Sequence, residues 1–247
     1  MENYKSIFKR YERKYLITQE QYNALLERLP ELAKPDRYGE STVMNLYYDT
    51  PDYRIISRSI EKPPYKEKLR IRCYGVPGED SVSFLELKKK YKKVVYKRRI
   101  ALPYREAVAH MEEGQPFREV TQIGKEIDYF RTLYPDLERG MVIIYERTAY
   151  EGIADPDLRI TFDRNIRYRE RGPECDLMSG SEGTPLLLPG QRIMEVKVPQ
   201  AMPLALVRIL NELAIYPHSF SKYGQAYKMR FGRSKTALKP GNEVENG

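Results

Sequence analysis

The chain has 247 residues, with 43 Lys and Arg against 35 Asp and Glu, and a net charge of +8 at pH 7. Its mean hydropathy of -0.66 and its 41% hydrophobic residues are typical of a soluble globular protein that can bury a sizeable core. The 2 Cys and 2 His give no sign of a disulfide framework or a zinc site and leave little room for histidine catalysis, whereas the positive charge favours a polyanionic partner: nucleic acid, an acidic membrane surface or free phosphate compounds.

The N-terminal residues predict a cytoplasmic protein that begins with a charged strand. Residues 1–10 lack the apolar segment of a signal peptide, and no run in the chain approaches the roughly 18 apolar residues that span a bilayer. Residues 8–17 alternate between polar and apolar side chains, which predicts a strand with Arg10, Glu12 and Lys14 on one face.

A helix and a second strand follow. Thr18 and Gln21 have the spacing of a capping box, and the apolar residues after them form one face of a helix that ends near Pro30. Residues 43–49 predict the next strand, and a loop or short helix is expected near residues 53–64.

The next two strands form a hairpin with one cationic face. Alternate residues of a strand share a face, so the hairpin presents five basic residues and one carboxylate together. They are Lys68, Arg70, Arg72, Lys88, Lys90 and Glu86. Like charges this close repel, so the array requires either a bound anion or a solvated outer face. A third strand begins near Val94. Either Arg98 or Arg99 is expected on the face of Lys88, because the sequence does not fix which alternate residues share that face after the turn.

The second half of the chain repeats the charged strand pattern. Helices are predicted at 103–113 and 121–134, followed by strands at 142–151 and 158–164. Arg147 lies on the first strand, and Arg159, Thr161 and Asp163 share a face of the second.

The C-terminal part predicts a long loop, one strand and two helices. Residues 172–190 are rich in Gly, Pro and Ser and predict a lid or a disordered loop, and residues 192–198 predict a strand with Glu195 and Lys197 on one face. Helices are expected after Pro203 and after Pro217. Without an internal linker, we expect one domain over residues 1–231 and a disordered tail over 232–247.

At least eight antiparallel strands with charge on one face predict an α+β protein built on a closed β-barrel with flanking helices. If the apolar face packs against the helices, the barrel interior is a tunnel for a charged ligand. Carboxylates among the cations suggest Mg²⁺ or Mn²⁺, which take oxygen ligands and bridge to phosphate oxygens.

Eight short motifs in this order resemble the VTC-type polyphosphate polymerase domain of the triphosphate tunnel metalloenzyme (CYTH-like) superfamily. They are YERKYL at 11–16, LYYDT at 46–50, KLRIR at 68–72, FLELK at 84–88, ERTAY at 146–150, ITFD at 160–163, MEVK at 194–197 and SKY at 221–223. The resemblance implies an eight-stranded antiparallel triphosphate tunnel that binds triphosphate or polyphosphate with a divalent metal.

Carried over by position, the resemblance assigns the site residues. The phosphate ligands would be Lys14, Arg70, Arg72, Lys88, Arg147, Lys197 and Lys222, with Arg10, Arg98, Arg159, Ser221 and Tyr223 as weaker additions to the phosphate-binding set. Glu195 would be the leading metal ligand, and Glu86 and Glu12 would be secondary carboxylates. Arg70, Arg72, Lys88, Arg147 and Glu195 would carry catalysis.

Arg10 departs from the E-x-E-x-K pattern that begins the hydrolytic and cyclase branches of the superfamily, because it replaces the first Glu. A cation there suits a longer polyphosphate, so the resemblance favours phosphoryl transfer from ATP to a growing polyphosphate chain with Mn²⁺ or Mg²⁺. The alternatives are an inorganic triphosphatase or tripolyphosphatase of the same fold and a non-catalytic polyphosphate-binding module. No nucleic-acid partner is expected, and a membrane partner that exports the polymer, like the oligomeric state, is left open.

Overall fold

A computed structural model of the protein describes residues 11–92 and 94–232. Arg10 and all of the predicted tail except Gly232 lie outside these residues. The described strands are β1 (Tyr11–Ile17), β2 (Ala33–Pro35), β3 (Ser41–Asp49), β4 (Tyr65–Tyr74), β5 (Val82–Tyr91), β6 (Val94–Pro103), β7 (Glu138–Gly152), β8 (Arg159–Glu170), β9 (Thr184–Pro185) and β10 (Arg192–Val198). The described α-helices are α1 (Gln19–Arg28), α2 (Arg54–Ile60), α3 (Tyr104–Glu113), α4 (Gln122–Leu133), α5 (Leu204–Glu212) and α6 (Lys222–Phe231).

Eight long strands form one antiparallel sheet in the order β1-β10-β8-β7-β3-β4-β5-β6, with β2 and β9 attached to β7 and β8. The sheet curls into a barrel-like shape, so the predicted antiparallel barrel with flanking helices is confirmed. The curl brings the first strand of this order close to the seventh: Glu12 and Lys14 of β1 act electrostatically on Lys88 of β5. Side chains on one face of the sheet therefore converge.

The opposite, outer face carries most of the apolar core. Leu69, Ile71, Leu85 and Leu87 of the central hairpin are fully buried against α3 and α4 in one cluster. A second cluster packs α1 and α5 on β1, β8 and β10. Because these helices cover the apolar side of the sheet, the charged side is left to line the interior. Most small barrels have the opposite arrangement, with an apolar interior.

A third apolar cluster closes one end of the interior. Ile56 of α2 and Ala226 of α6 pack on strand residues such as Met141 and Ile143. The Tyr223 ring of α6 stacks on Tyr47 of β3 with 4.4 Å between ring centroids. Two helices therefore lie inside the mouth of the curled sheet, a position that the helical periodicity of the sequence did not indicate.

Asp49, at the end of β3, anchors both of these helices. Its carboxylate accepts hydrogen bonds from the backbone N–H groups of Ile55 and Ile56, at 2.9 and 3.1 Å, and from the Tyr223 hydroxyl at 2.8 Å. Tyr53 precedes α2 with a positive φ of 56°. The D-T-P-D turn thus fixes the start of α2 and, through Tyr223, the position of α6.

Most predicted elements are found within a few residues of their expected bounds. The capping box forms as predicted, with Gln21 N–H donating to the Thr18 hydroxyl at 3.2 Å and Thr18 N–H donating to the Gln21 side chain at 3.1 Å. The short strand β2 was not predicted. Among the helices of the described residues, none combines the length and the apolar content that a membrane crossing requires.

The loop at 172–190, which was expected to be a lid or disordered, is held in place by the pairing of β9 with β8 and by arginine side chains, chiefly Arg169. The guanidinium of Arg169 donates to the carbonyls of Glu174, Asp176, Gly180 and Glu182. Because one buried cation satisfies four loop carbonyls, the loop is held against β8.

Candidate functional site

The charged face inside the curled sheet, called the inner face below, collects side chains from all eight long strands and α6. The register of the ladders places Glu12 and Lys14 beside Lys197 and Glu195, and Arg70 beside Glu86. The predicted residues that share this face are Glu12, Lys14, Arg70, Arg72, Glu86, Lys88, Arg147, Arg159, Glu195 and Lys197, with Lys222 entering from α6.

One group on the inner face is built around Glu86, which is 1% exposed. Arg70 donates two hydrogen bonds to Glu86 Oε2, at 2.9 and 2.6 Å, and Lys97 Nζ lies 2.6 Å from Oε1. Burial raises the pKa of Glu86, but the nearby cations Arg70, Arg72 and Lys97 outweigh it and lower the pKa to about 2. Both oxygens of Glu86 are therefore occupied by cations, and a metal ion would have to displace one of them.

The other arginine of this strand, Arg72, donates its hydrogen bonds to neutral groups and lies 3.9 Å from Glu86 Oε2. Its Nε donates to Asn45 Oδ1 at 2.9 Å and its Nη2 donates to the Tyr145 hydroxyl at 3.3 Å. Burial raises the pKa of Tyr145, but Arg72, Arg147 and Lys222 lower it to about 8. This shift shows how positive the interior is around that ring.

A second group surrounds Asp163, which is fully buried on β8. Arg147 donates to its two oxygens at 2.6 and 2.8 Å, and Lys222 Nζ reaches Oδ2 at 2.5 Å. Burial raises the pKa of Asp163, but Lys222 and Arg147 lower it below its ordinary value. Because Lys222 belongs to α6, its ion pair with Asp163, which also binds the Arg147 guanidinium in a bidentate manner, fixes α6 to the sheet.

Three lysines gather near the remaining part of the inner face: Lys14, Lys68 and Lys88. Lys68 and Lys88 are direct partners across β4 and β5, and Lys68 Nζ donates to the Ser221 hydroxyl at 3.1 Å. Within the described residues, neither of these two lysines forms an ion pair with a carboxylate. Burial, then Lys88 and other cations, lower the pKa of Lys68 to about 7. Lys88 is solvent-exposed, so a dissolved anion can reach this group.

Glu195 and Glu12 form the carboxylate pair of the site. Glu195 is 7% exposed, with Lys197 Nζ at 3.4 Å and Arg147 Nη2 at 3.7 Å. Burial raises the pKa of Glu195, but a hydrogen bond with Glu12 and the cations Lys197, Lys14 and Lys222 hold it well below the ordinary value. Glu12 also lies 3.4 Å from Lys14 Nζ.

This pair suits the divalent metal that the sequence resemblance implied. No group of three or more His, Cys, Asp or Glu in residues 11–92 and 94–232 could hold a metal ion. Mg²⁺ in phosphate-handling sites is commonly held by one or two carboxylates together with substrate phosphates and water. Two adjacent carboxylates, one of them buried among cations, fit a metal that binds together with a phosphate chain.

Two predicted ligands are placed differently from the others. Arg98 was expected among the phosphate ligands, but it pairs with Leu87 on the opposite face and its Nε lies 3.3 Å from Glu126 of α4. The sequence left the choice between Arg98 and Arg99 open, and the register of β5 with β6 decides it, because Lys97 pairs with Lys88 and Arg99 pairs with Glu86 on the inner face. Arg159 shares the inner face, but its guanidinium is 2.6 Å from Asp36.

The remaining predicted residues lie at α6. Ser221 is the N-cap of the helix, and its hydroxyl accepts from Gly224 N–H at 3.2 Å as well as from Lys68. Tyr223 contributes to packing and to the Asp49 anchor, as described above.

Several inner-face residues were not assigned a role from the sequence: Lys68, Lys97, Asp163, Tyr47 and Tyr145. Lys68 was recognisable, because it alternates with Arg70 on the cationic face. Tyr47 and Tyr145 gave no signal, because a tyrosine in an apolar strand is usually a core residue. Only the structure shows that their hydroxyls accept hydrogen bonds from Arg70, at 2.9 Å, and from Arg72.

Comparison with known proteins agrees with this description. The model of the VTC domain family matches residues 9–231. No curated protein matches the chain.

Solved structures share the fold at low sequence identity. A candidate adenylate cyclase from Bacillus halodurans is 17% identical, with a TM-score of 0.52 and with 90% of this chain and 96% of that chain covered. A candidate adenylyl cyclase from Hippeastrum, which shows a dominant triphosphatase activity, is 15% identical, with a TM-score of 0.53 and coverage of 89% and 94%. At these identities the likeness concerns the fold alone.

Proposed function

The chain belongs to the VTC domain family, and from this premise we propose that it is a metal-dependent polyphosphate polymerase, which transfers the γ-phosphoryl group of ATP to a growing inorganic polyphosphate chain. The observation that carries the proposal is the lysine group of the inner face. Lys68 and Lys88 face each other without a carboxylate partner in the described residues, beside Lys14. A polyanion that lies along the interior would relieve the repulsion among these cations.

The cations would bind phosphates with different strengths. Arg70, Arg72 and Arg147 are already fixed by hydrogen bonds to neighbouring side chains, so their guanidinium groups are preorganised and lose little freedom on binding. The lysines carry mobile point charges and suit a chain whose phosphates change position as the polymer grows. Both kinds of contact are expected in a site that must bind tightly and still allow movement.

Glu195 and Glu12 would hold Mn²⁺ or Mg²⁺ together with phosphate oxygens. When bound, the metal would neutralise charge on the nucleotide phosphates and on the transferring group. The hydrogen bond with Glu12 and the cations Lys197, Lys14 and Lys222 hold the pKa of Glu195 well below its ordinary value, so Glu195 is ionised, as a carboxylate ligand must be.

The reaction would be an in-line displacement at the γ-phosphorus of ATP. The terminal oxygen of the polyphosphate chain forms the new P–O bond, and the bond between the γ-phosphorus and the bridging oxygen breaks, so that ADP leaves. Arg70, Arg72 and Arg147 would stabilise the negative charge on the transferring group. The reaction requires no protein nucleophile, which agrees with a site made of cations and carboxylates.

The test is to incubate the purified protein with ATP and Mn²⁺, with and without a short polyphosphate primer, and to follow chain length by gel electrophoresis. If the protein is a polymerase, the chains lengthen with time and one ADP is released for each phosphate added. Orthophosphate release from tripolyphosphate without chain growth would identify a triphosphatase of the same fold. Tight polyphosphate binding without any turnover would identify a binding module.

Nucleic-acid binding can be tested on the same preparation. The absence of a recognised nucleic-acid-binding motif argues against it, and an RNA affinity weaker than the polyphosphate affinity at every salt concentration is expected. An RNA affinity that exceeds the polyphosphate affinity and falls steeply with salt would contradict the proposal.

A further inference from the structure

A small cavity of about 220 Å³ lies on the outer face of the sheet, away from the inner-face site. Its lining residues are Tyr22, Glu40, Thr148, Phe162, Arg164 and Arg192. Phe162 and Met194 are register partners that face the outer apolar cluster, so the alternate residues Arg164 and Arg192 also face outward. The cavity is therefore separated from the inner face by the sheet itself.

The register brings the two arginines together. Ile193 pairs with Asp163, and the next position on each strand is Arg192 on β10 and Arg164 on β8. The positive charge of Arg164 contributes to the lowered pKa of Arg192, after burial as the larger cause. Like charges on neighbouring strands destabilise a sheet unless an anion lies between them.

Arg192 is buried without a charged partner. Only 9% of the residue is exposed, and its guanidinium stacks over the Tyr22 ring with 4.0 Å to the centroid. Nη1 donates to two neutral acceptors, Gln19 Oε1 at 2.7 Å and the Gly190 carbonyl at 3.1 Å. In the described part of the chain, no carboxylate forms an ion pair with Arg192, and Nε and Nη2 donate to no protein acceptor.

The carboxylates near the cavity are shared among other cations. Glu40 accepts two hydrogen bonds from Arg164, at 3.1 and 2.9 Å. Glu146 lies 3.1 Å from Arg164 and 3.3 Å from Arg167. Among the residues that line the cavity, Arg164 and Arg192 therefore face one carboxylate, Glu40, which also acts on Arg192 electrostatically, so one positive charge is in excess. A buried cation without a counter-charge is costly, so the cavity favours one additional anion.

We propose that this cavity is a second anion-binding site, which takes one phosphate-sized oxyanion between Arg192 and Arg164. Its volume is below the roughly 300 Å³ at which pockets for drug-sized ligands begin, and it corresponds to about seven waters at roughly 30 Å³ each. A free orthophosphate ion and the end group of a short polyphosphate share the required chemistry. The planar fork of a guanidinium suits two oxygens of either ligand.

The experiment separates this site from the inner face. The Arg70→Gln variant, in which the inner-face site is weakened, is titrated with orthophosphate by isothermal calorimetry, alone and combined with a second substitution. Adding Arg192→Gln should weaken the remaining orthophosphate binding by at least about tenfold, because a charge-assisted bidentate contact is lost. Adding Arg28→Gln, an exposed arginine of α1 paired with Glu212, should leave that binding unchanged.

A second substitution is expected to strengthen the binding of orthophosphate. Glu40→Gln removes the carboxylate that competes for Arg164, so we expect orthophosphate to bind at least about threefold tighter. A purely structural role for Arg192 and Arg164 predicts no such gain, and this variant decides the question if Arg192→Gln fails to fold, as judged by circular dichroism.

A parallel titration with tripolyphosphate identifies the source of the anion. The comparison is between the losses that Arg192→Gln causes for the two ligands: an equal loss supports a free oxyanion, and a loss about tenfold larger for tripolyphosphate supports a chain end. Unchanged binding of both ligands by Arg192→Gln together with unchanged binding by Glu40→Gln would overturn the proposal.

Discussion

Lys68 and Lys88 are direct cross-strand partners on the inner face of the sheet, and the hydroxyl of Ser221 is the only protein group that accepts a hydrogen bond from Lys68 within residues 11–92 and 94–232. Two ammonium groups held opposite each other repel, and the repulsion grows when water is displaced. The arrangement raises the energy of the empty site and favours a bound polyanion.

The pKa of Lys68, lowered to about 7 by burial and then by Lys88, predicts that polyphosphate binding depends on pH. Below pH 7 the group is protonated and attracts phosphate, so affinity should fall as the pH rises from 6 to 8. Fluorescence anisotropy with a labelled polyphosphate measures the profile. Lys68→Gln should bind more weakly at pH 6 and should flatten this part of the curve.

The lowered pKa of Lys68 also predicts that, without ligand, the stability of the protein rises with pH, whereas the affinity for polyphosphate falls. Between about pH 7 and the ordinary lysine pKa of about 10.4, the unfolded chain binds a proton at Lys68 that the folded chain does not, so the contribution of Lys68 to the free energy of unfolding rises with pH. Urea unfolding of the wild type and of Lys68→Gln at pH 7 and pH 9 isolates this contribution as the difference between the two proteins. A difference that stays constant between the two pH values would contradict the shift.

Glu195→Gln should abolish chain growth while reducing polyphosphate binding little. The substitution keeps the size of the side chain but removes the negative charge that would hold the metal, whereas the cations that would bind phosphate remain. Turnover with Mn²⁺ and binding without metal are measured on the same protein. The control is Glu27→Gln, an exposed residue of α1, which should behave as the wild type. Wild-type turnover in Glu195→Gln would refute the metal assignment.

Arg70→Ala and Arg98→Ala form a matched pair that tests which face of the sheet binds phosphate. Arg70 lies on the inner face and Arg98 lies on the outer face near Glu126. Loss of a charge-assisted hydrogen bond costs roughly 1.5 to 3 kcal/mol, so Arg70→Ala should weaken polyphosphate binding by about 10- to 150-fold and should also lower turnover. Arg98→Ala should change each by less than about twofold, since exposed ion pairs contribute little. Equal losses of polyphosphate binding in the two variants would show that binding does not depend on the inner face.

Asp163→Asn should destabilise the fold more than any surface substitution. The change leaves Arg147 and Lys222 without their shared anion in a buried position, and breaking such a pair typically costs about 3 to 5 kcal/mol. Urea unfolding gives the free energy. Because polyphosphate would supply a replacement anion, saturating polyphosphate should restore part of the lost stability, and its failure to do so would count against a phosphate site beside Arg147.

The sequence alone determined the alternation of charge and apolar residues along each strand, and with it the inner face and most of its cations. This worked because the two-residue period of a strand is fixed by backbone geometry, so Lys14, Arg70, Arg72 and Lys197 could be placed without knowing their neighbours. The order of the eight motifs likewise indicates the family.

Only the tertiary structure decided which of these charges are already paired. Glu86 has the same alternating neighbours in the sequence as Glu195. In the structure, Glu86 forms ion pairs with Arg70 and Lys97 on the neighbouring strands, whereas Glu195 lies beside Glu12. The register of β5 with β6 places Arg98 on the outer face. Helix α6 lies where its Lys222 forms an ion pair with Asp163 of the sheet. Such relationships join residues far apart in the chain, and their energies depend on distance and burial, which no local sequence pattern specifies.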